Sequence, residues 1–176
     1  MPELTLPTPF QRAALIAQCW TAHDANWFAV VEASLGTETA NRLSRGAAQA
    51  QGRFEAREAM RIFALPAVGT LEEYLTVQEL LLGLLTPGVL RHEIEVVDDE
   101  TCRLRITRCR VYEQAVRTGA AERYACGVMA RIAGWLQGLG ARYVLSPSAD
   151  GCPLGRGDAC VHTITVSPRS TPAATS

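Results

Sequence analysis

Lysine is absent. All 17 basic residues are arginine, a side chain whose planar fork suits carboxylates, although a GC-rich genome produces the same bias. Against 18 acidic residues the net charge is −1. There is no global basic field, so nucleic acid is not expected as a main partner. A long apolar run is also missing. The longest, Leu80 to Leu85, is far too short to cross a bilayer. The opening Met1-Pro2-Glu3-Leu4-Thr5 has no basic region leading into an apolar stretch, so no secretory signal is expected. These absences predict a cytoplasmic chain without membrane contact. In that compartment its six cysteines are reduced thiols, core residues or metal ligands rather than a disulfide framework. No Cys-x-x-Cys knuckle and no internal repeat is present.

At 176 residues and 48% hydrophobic composition, the chain has material for one domain with a substantial core. That domain is expected over residues 10–167, with flexible termini at 1–9 and 168–176. From Phe10 the pattern is helical, with Trp20, Trp27 and Val31 recurring at helical spacing and Asp24 a candidate cap for a second helix. Gly36-Thr37 reads as a stop followed by a start. A long helix to Phe63 then carries Ala40, Leu43, Ala47, Ala50 and Phe54 along one small-residue face. Thr70 and Glu73 form a capping box for a helix reaching about Leu85, with Tyr74, Val77, Leu81 and Leu84 towards the core. Alternation predicts a hairpin, Glu93–Val97 and Cys102–Val111, turning at 98–101. Cys109 shares parity with the outward Arg103 and Arg105 unless a bulge near Thr107 re-aims it. A short segment at 112–117 and a helix from Ala121 to Gly138 follow. Arg142–Leu145 and Ala159–Val166 form a second antiparallel pair, with Cys160, His162, Ile164 and Val166 on one face. The sum is an α+β fold: about four helices on an antiparallel sheet of four or five strands.

Five of the six cysteines lie beyond Glu93, at element boundaries. Cys109, Cys126 and Cys160 are candidate zinc ligands; equally, each can be plain core. Cys126, near the start of a helix whose dipole favours a thiolate, is the candidate nucleophile. His23 and Asp24 are candidate catalytic partners or, alternatively, part of a capping cluster, and His162 is a second candidate base. Trp27, Glu58, Cys109 and His162 are candidate binding residues, and Glu58 sits in a charged run whose default is a solvated face. The Leu80–Leu85 cluster exceeds what one helix face buries, which predicts a homodimer through it.

Three stretches carry a resemblance. Arg108-Cys109 is followed by a polar helical turn, Cys126 heads a helix, and Leu154-Gly155-Arg156-Gly157-Asp158-Ala159-Cys160 precedes the last strand. Together they resemble the L-2-amino-thiazoline-4-carboxylic acid hydrolase family. His23-Asp24-Ala25-Asn26-Trp27-Phe28, followed by a long helix bearing Glu55-Ala56-Arg57, resembles a related bacterial family. Both layouts are similar to four-vinyl-reductase-type small-molecule-binding domains. The resemblance implies hydrolysis of a C–N bond in a small heterocycle or amide-like substrate, centred on Cys126 or on a metal held by Cys109, Cys126 and Cys160. Its alternative is a non-catalytic small-molecule-binding or sensory domain.

Overall fold

The computed structural model describes residues 7–84, 89–148 and 151–167. The expected tail from residue 168 and the expected helix stop at 86–88 lie outside them. The fold is α+β, as expected. Five helices accompany a four-stranded antiparallel sheet among the described residues.

Helix α1 runs Pro9–Leu35 without interruption, so Asp24 caps nothing. Its start is a capping box: the Thr8 N–H donates to Gln11 Oε1 at 2.8 Å and the Gln11 N–H to Thr8 Oγ1 at 3.2 Å. Gly36, at φ +82°, turns the chain into α2, Thr37–Phe63. Helix α3, Leu71–Leu84, begins at the predicted box, with the Glu73 carboxylate accepting from the N–H groups of Gly69 and Thr70 at 2.7 and 3.1 Å.

Strands β1 (Leu90–Val96) and β2 (Thr101–Cys109) form the hairpin. Arg91 pairs with Arg108, but His92 pairs with Ile106, leaving Thr107 as an extra residue on β2. This bulge, at the position where one would re-aim it, turns Cys109 onto the inner face beside Cys102, Leu104 and Ile106. Helix α4 (Arg110–Arg117) follows at once. Helix α5 is shorter than expected, Gly127–Gly138, because residues 121–126 are irregular. Strands β3 (Arg142–Ser146) and β4 (Val161–Ser167) complete the sheet in the order β1-β2-β4-β3. Cys160, His162, Ile164 and Val166 are buried together, as the alternation predicts.

Helix α5 lies between α2 and the sheet and is buried nearly all round, with Met129, Ile132, Trp135 and Leu136 in the core. Its contact with α2 is made at glycines. A Cβ on Gly52 would strike the backbone of Arg131, one on Gly134 the backbone of Gln49, and one on Gly138 would stand 2.7 Å from Ala56 Cβ. The helices therefore approach backbone to backbone. This corrects the expected inner face of α2. Ala47, Ala50 and Phe54 are exposed, and the buried set is Ala40, Gly52, Ala56 and Ala59. A polar lock spans the same contact. Glu55 accepts hydrogen bonds from Trp135 Nε1 at 2.9 Å and Arg131 Nε at 2.8 Å, and also pairs with Arg131 Nη2.

The leucine-rich helix is corrected as well. Leu81 and Leu82 are core residues and Leu80 packs against the core; Leu85 and the Leu84 side chain lie outside the described residues. Among the described residues of the cluster, the leucines pack within the chain.

Candidate functional site

Four cysteines gather around the N-terminus of α5. Cys109 is the N-cap of α4, and its Sγ accepts from the Tyr112 N–H at 3.4 Å. Cys126 is the N-cap of α5, and Cys152 precedes the short 3-10 turn Pro153–Arg156. Cys160 stands just before β4. Cys126, Cys152 and Cys160 are buried and Cys109 partly so. None of the six cysteines is in a disulfide.

Burial is the first influence on these thiols. It pushes Cys126 up to about 11, against the amides of Met129 and Val128, with Cys152 and Cys109 adding to the rise. Cys160 goes up to about 12, from burial first and then from Cys126, Cys152 and Cys109. Cys109 rises by burial, partly offset by the amides of Tyr112 and Val111. The helix dipole at Cys126 therefore loses to desolvation, and at neutral pH Cys109, Cys126 and Cys160 are thiols rather than thiolates. Among the described residues, no three His, Cys, Asp or Glu side chains come together as a group that could hold a metal ion. The expected zinc set of Cys109, Cys126 and Cys160 is thus not assembled. A zinc site needs thiolates about 2.3 Å from one ion, and apolar packing favours the neutral form here.

The segment entering α5 is held by residues not singled out in the sequence. Asn41 on α2 donates to the Arg123 carbonyl at 2.6 Å and accepts from the Ala125 N–H at 2.8 Å. Arg123 Nε donates to Glu32 of α1 at 2.6 Å. Tyr124 stacks edge-on against Phe28 at 5.6 Å, and its hydroxyl accepts from the Gly127 N–H at 3.3 Å. Phe28 belongs to the aromatic stretch that drew attention in the sequence. Asn41 had no local signal, because its partners lie more than 80 residues away.

A family model describing a family of unknown function (DUF6125) matches residues 11–133. The chain belongs to that family. The match takes in α1 to α4, with Cys109 and Cys126, and ends inside α5 before Cys152, Cys160 and His162. No curated protein and no solved structure matches the chain.

The other expected residues of this DUF6125 member are scattered. His23 and Asp24 contact each other at 3.6 Å on the outer face of α1, with side chains 76% and 63% exposed. Trp27 shares that face. The buried Phe28 marks the face of α1 that packs inward; His23 points away from it, Asp24 stands one turn before Phe28 but is exposed, and neither is among the groups that act on Cys126. Glu58 pairs with Arg61 at 2.6 Å on the surface of α2, the solvated alternative; the carboxylate aimed at α5 is Glu55, one turn earlier. His162 does lie inside. Its Nδ1 stands 3.3 Å from the Pro147 carbonyl, its Nε2 is buried without a partner, and burial lowers its pKa. On α3, which packs against β4, the fully buried Gln78 has neither amide atom satisfied among the described residues, nor has the Tyr74 hydroxyl one turn earlier. Outside this core, an open groove of about 740 Å³ runs along α2, α5 and β3, lined in part by Asn41, Arg42, Gln49, Ala125 and Tyr143. It reaches Ala125, the neighbour of Cys126.

Proposed function

We propose that this chain is a small-molecule-binding domain, the second of the two functions that the resemblance implied. The observation that carries the reading is the set of buried polar atoms without a partner among the described residues on two elements packed together, His162 Nε2 on β4 and the Gln78 amide on α3. Native chains leave few buried polar atoms unsatisfied, and a bound ligand is one way of satisfying them. An apolar lining with a few convergent polar groups is also the usual make-up of a ligand site.

The hydrolase reading has less support. Its nucleophile needs a thiolate and a neighbouring base. Burial keeps Cys126 protonated, and the His23 and Asp24 side chains are 76% and 63% exposed on α1. A two-part experiment separates the readings. Incubation with 2-amino-thiazoline-4-carboxylate should give no product above the Cys126→Ser background. Native mass spectrometry of the freshly purified chain should show a non-covalent adduct that Gln78→Leu reduces. Turnover lost in Cys126→Ser would restore the hydrolase. A bare chain mass for the wild type would remove the binding reading.

A further inference from the structure

Helix α1 carries a second pattern that packing inside the chain does not use. Its inward positions, Thr21, Ala25 and Phe28, are partly or fully buried. On the other side Ile16, Trp20, His23, Trp27 and Val30 follow one another at alternating spacings of four and three. That is the 3.5-residue period of a helix-pairing seam. Yet Ile16 is 67%, Trp20 52%, Trp27 39% and Val30 66% exposed. Two tryptophans and two branched aliphatic side chains in one exposed row are what an interface, not a solvated face, presents.

Charge decides what covers it. From Ala13 to Val31 the only ionisable side chains on charged residue types are His23 and Asp24, adjacent at the middle of the row. A second α1 laid antiparallel about a two-fold axis beside them sets His23 opposite the partner's Asp24. The same axis sets Trp20 opposite the partner's Trp27, and Ile16 opposite the partner's Val31 and Val30. The seam is thus self-complementary in both shape and charge, as a two-fold contact requires. A membrane surface fits less well. Interfacial helices bear Lys and Arg along their polar face, whereas α1 has Arg12 alone and the chain has no lysine.

We infer that the chain forms a homodimer through antiparallel pairing of α1, with the Trp20 and Trp27 rings and the His23–Asp24 pairs at its centre. This replaces the leucine-rich helix as the dimer surface and is independent of the ligand reading. The geometry also excludes a covalent link. With about 1.5 Å rise per residue, the two Cys19 positions stand roughly 13 Å apart along the axis, beyond the ~7 Å limit for a disulfide.

The test is light scattering on the full chain at tens of micromolar, where the wild type should give twice the 19.0 kDa chain mass. Trp20→Glu and Trp27→Glu should each give the single-chain mass with unchanged far-UV circular dichroism, since both rings face outward. Asp24→Arg should weaken the dimer at least tenfold, and adding His23→Glu should restore it. A monomeric wild type, a Trp20→Glu dimer, or a Cys19-linked dimer under mild oxidation would each overturn the pairing. So would sedimentation of a monomeric wild type with phosphatidylglycerol vesicles, which would assign the seam to membrane instead.

Discussion

The Glu55 carboxylate accepts the Trp135 indole N–H at 2.9 Å across the α2–α5 contact. Arg131 closes the same carboxylate from the other side. A partly buried charge held by an aromatic donor and a guanidinium loses more than one hydrogen bond when it is removed, because its partners stay behind. Glu55→Ala should therefore lower unfolding stability by about 2–4 kcal/mol, read from urea midpoints. Trp135→Phe keeps most of the ring and should cost only about 1 kcal/mol from the lost donor. A double-mutant cycle between the two should show clear coupling. Additive losses would mean that the contact is incidental.

Glycine substitutions should divide by position. Gly134→Ala puts a methyl against the backbone of Gln49, and Gly52→Ala puts one against Arg131. Backbone cannot step aside as a side chain can, so each should cost roughly 2–3 kcal/mol or more. Gly46 lies in the same helix as Gly52 with nothing within 4 Å of its absent Cβ. Gly46→Ala should instead stabilise by up to about 1 kcal/mol. Thermal melts of the three variants check the ordering.

Alkali should loosen the fold through its thiols. Cys126 and Cys160 lie at about 11 and about 12 against an ordinary value of 9.0. Above pH 9 the unfolded chain releases protons that the folded chain keeps. Their stabilisation is therefore complete below pH 9 and is lost as pH climbs towards 11–12, by at most about 1.4 kcal/mol per pH unit for each thiol. Urea midpoints measured from pH 8 to 10 should fall, and the fall should flatten in Cys126→Ala and Cys160→Ala. An unchanged slope in both variants would place the thiols in contact with water.

Gln78 offers a test of an orphaned buried amide. With both amide atoms unsatisfied among the described residues at full burial, its desolvation is not compensated by protein hydrogen bonds. Gln78→Leu, which removes that penalty at similar volume, should leave stability unchanged or raise it by about 1–2 kcal/mol in denaturant titrations. A loss above about 1 kcal/mol would show that the amide has a partner in solution.

Local signals in this chain translated directly. The Thr70–Glu73 box, the Gly36 break, both antiparallel pairs and the inward face of Cys160 to Val166 depend on residues within one turn or on strict alternation. The bulge at Thr107 was legible only as one of two alternatives, since alternation left Cys109 outward without it and the register shift decides for it. The faces of long helices were less legible. The face of α2 was assigned from its small residues, and alanines lay on more than one side. Only Gly52, meeting Gly134 of α5, shows which side is buried.

The site residues show the same division. Cys126 at the head of a helix and Cys109 and Cys160 at strand ends were readable as positions, and the three do gather. Whether such a thiol is charged depends on competition between dipole and desolvation, and burial by residues distant in sequence decides that. His23 and Trp27 had the composition of a site but lie on the outer side of α1. A heptad row and a pocket wall look alike until one neighbour, α2, has taken the opposite face. By itself the sequence determined the α+β class and the order of most elements, because those follow from interactions among nearby residues, but not every boundary: α1 runs unbroken past Asp24 and α5 starts at Gly127 rather than Ala121. Tertiary structure alone decided the strand order, the Glu55–Trp135 lock, the burial of Leu82 beside Leu81 and the exposure of the α1 seam. Each of these depends on which surface another part of the chain came to cover.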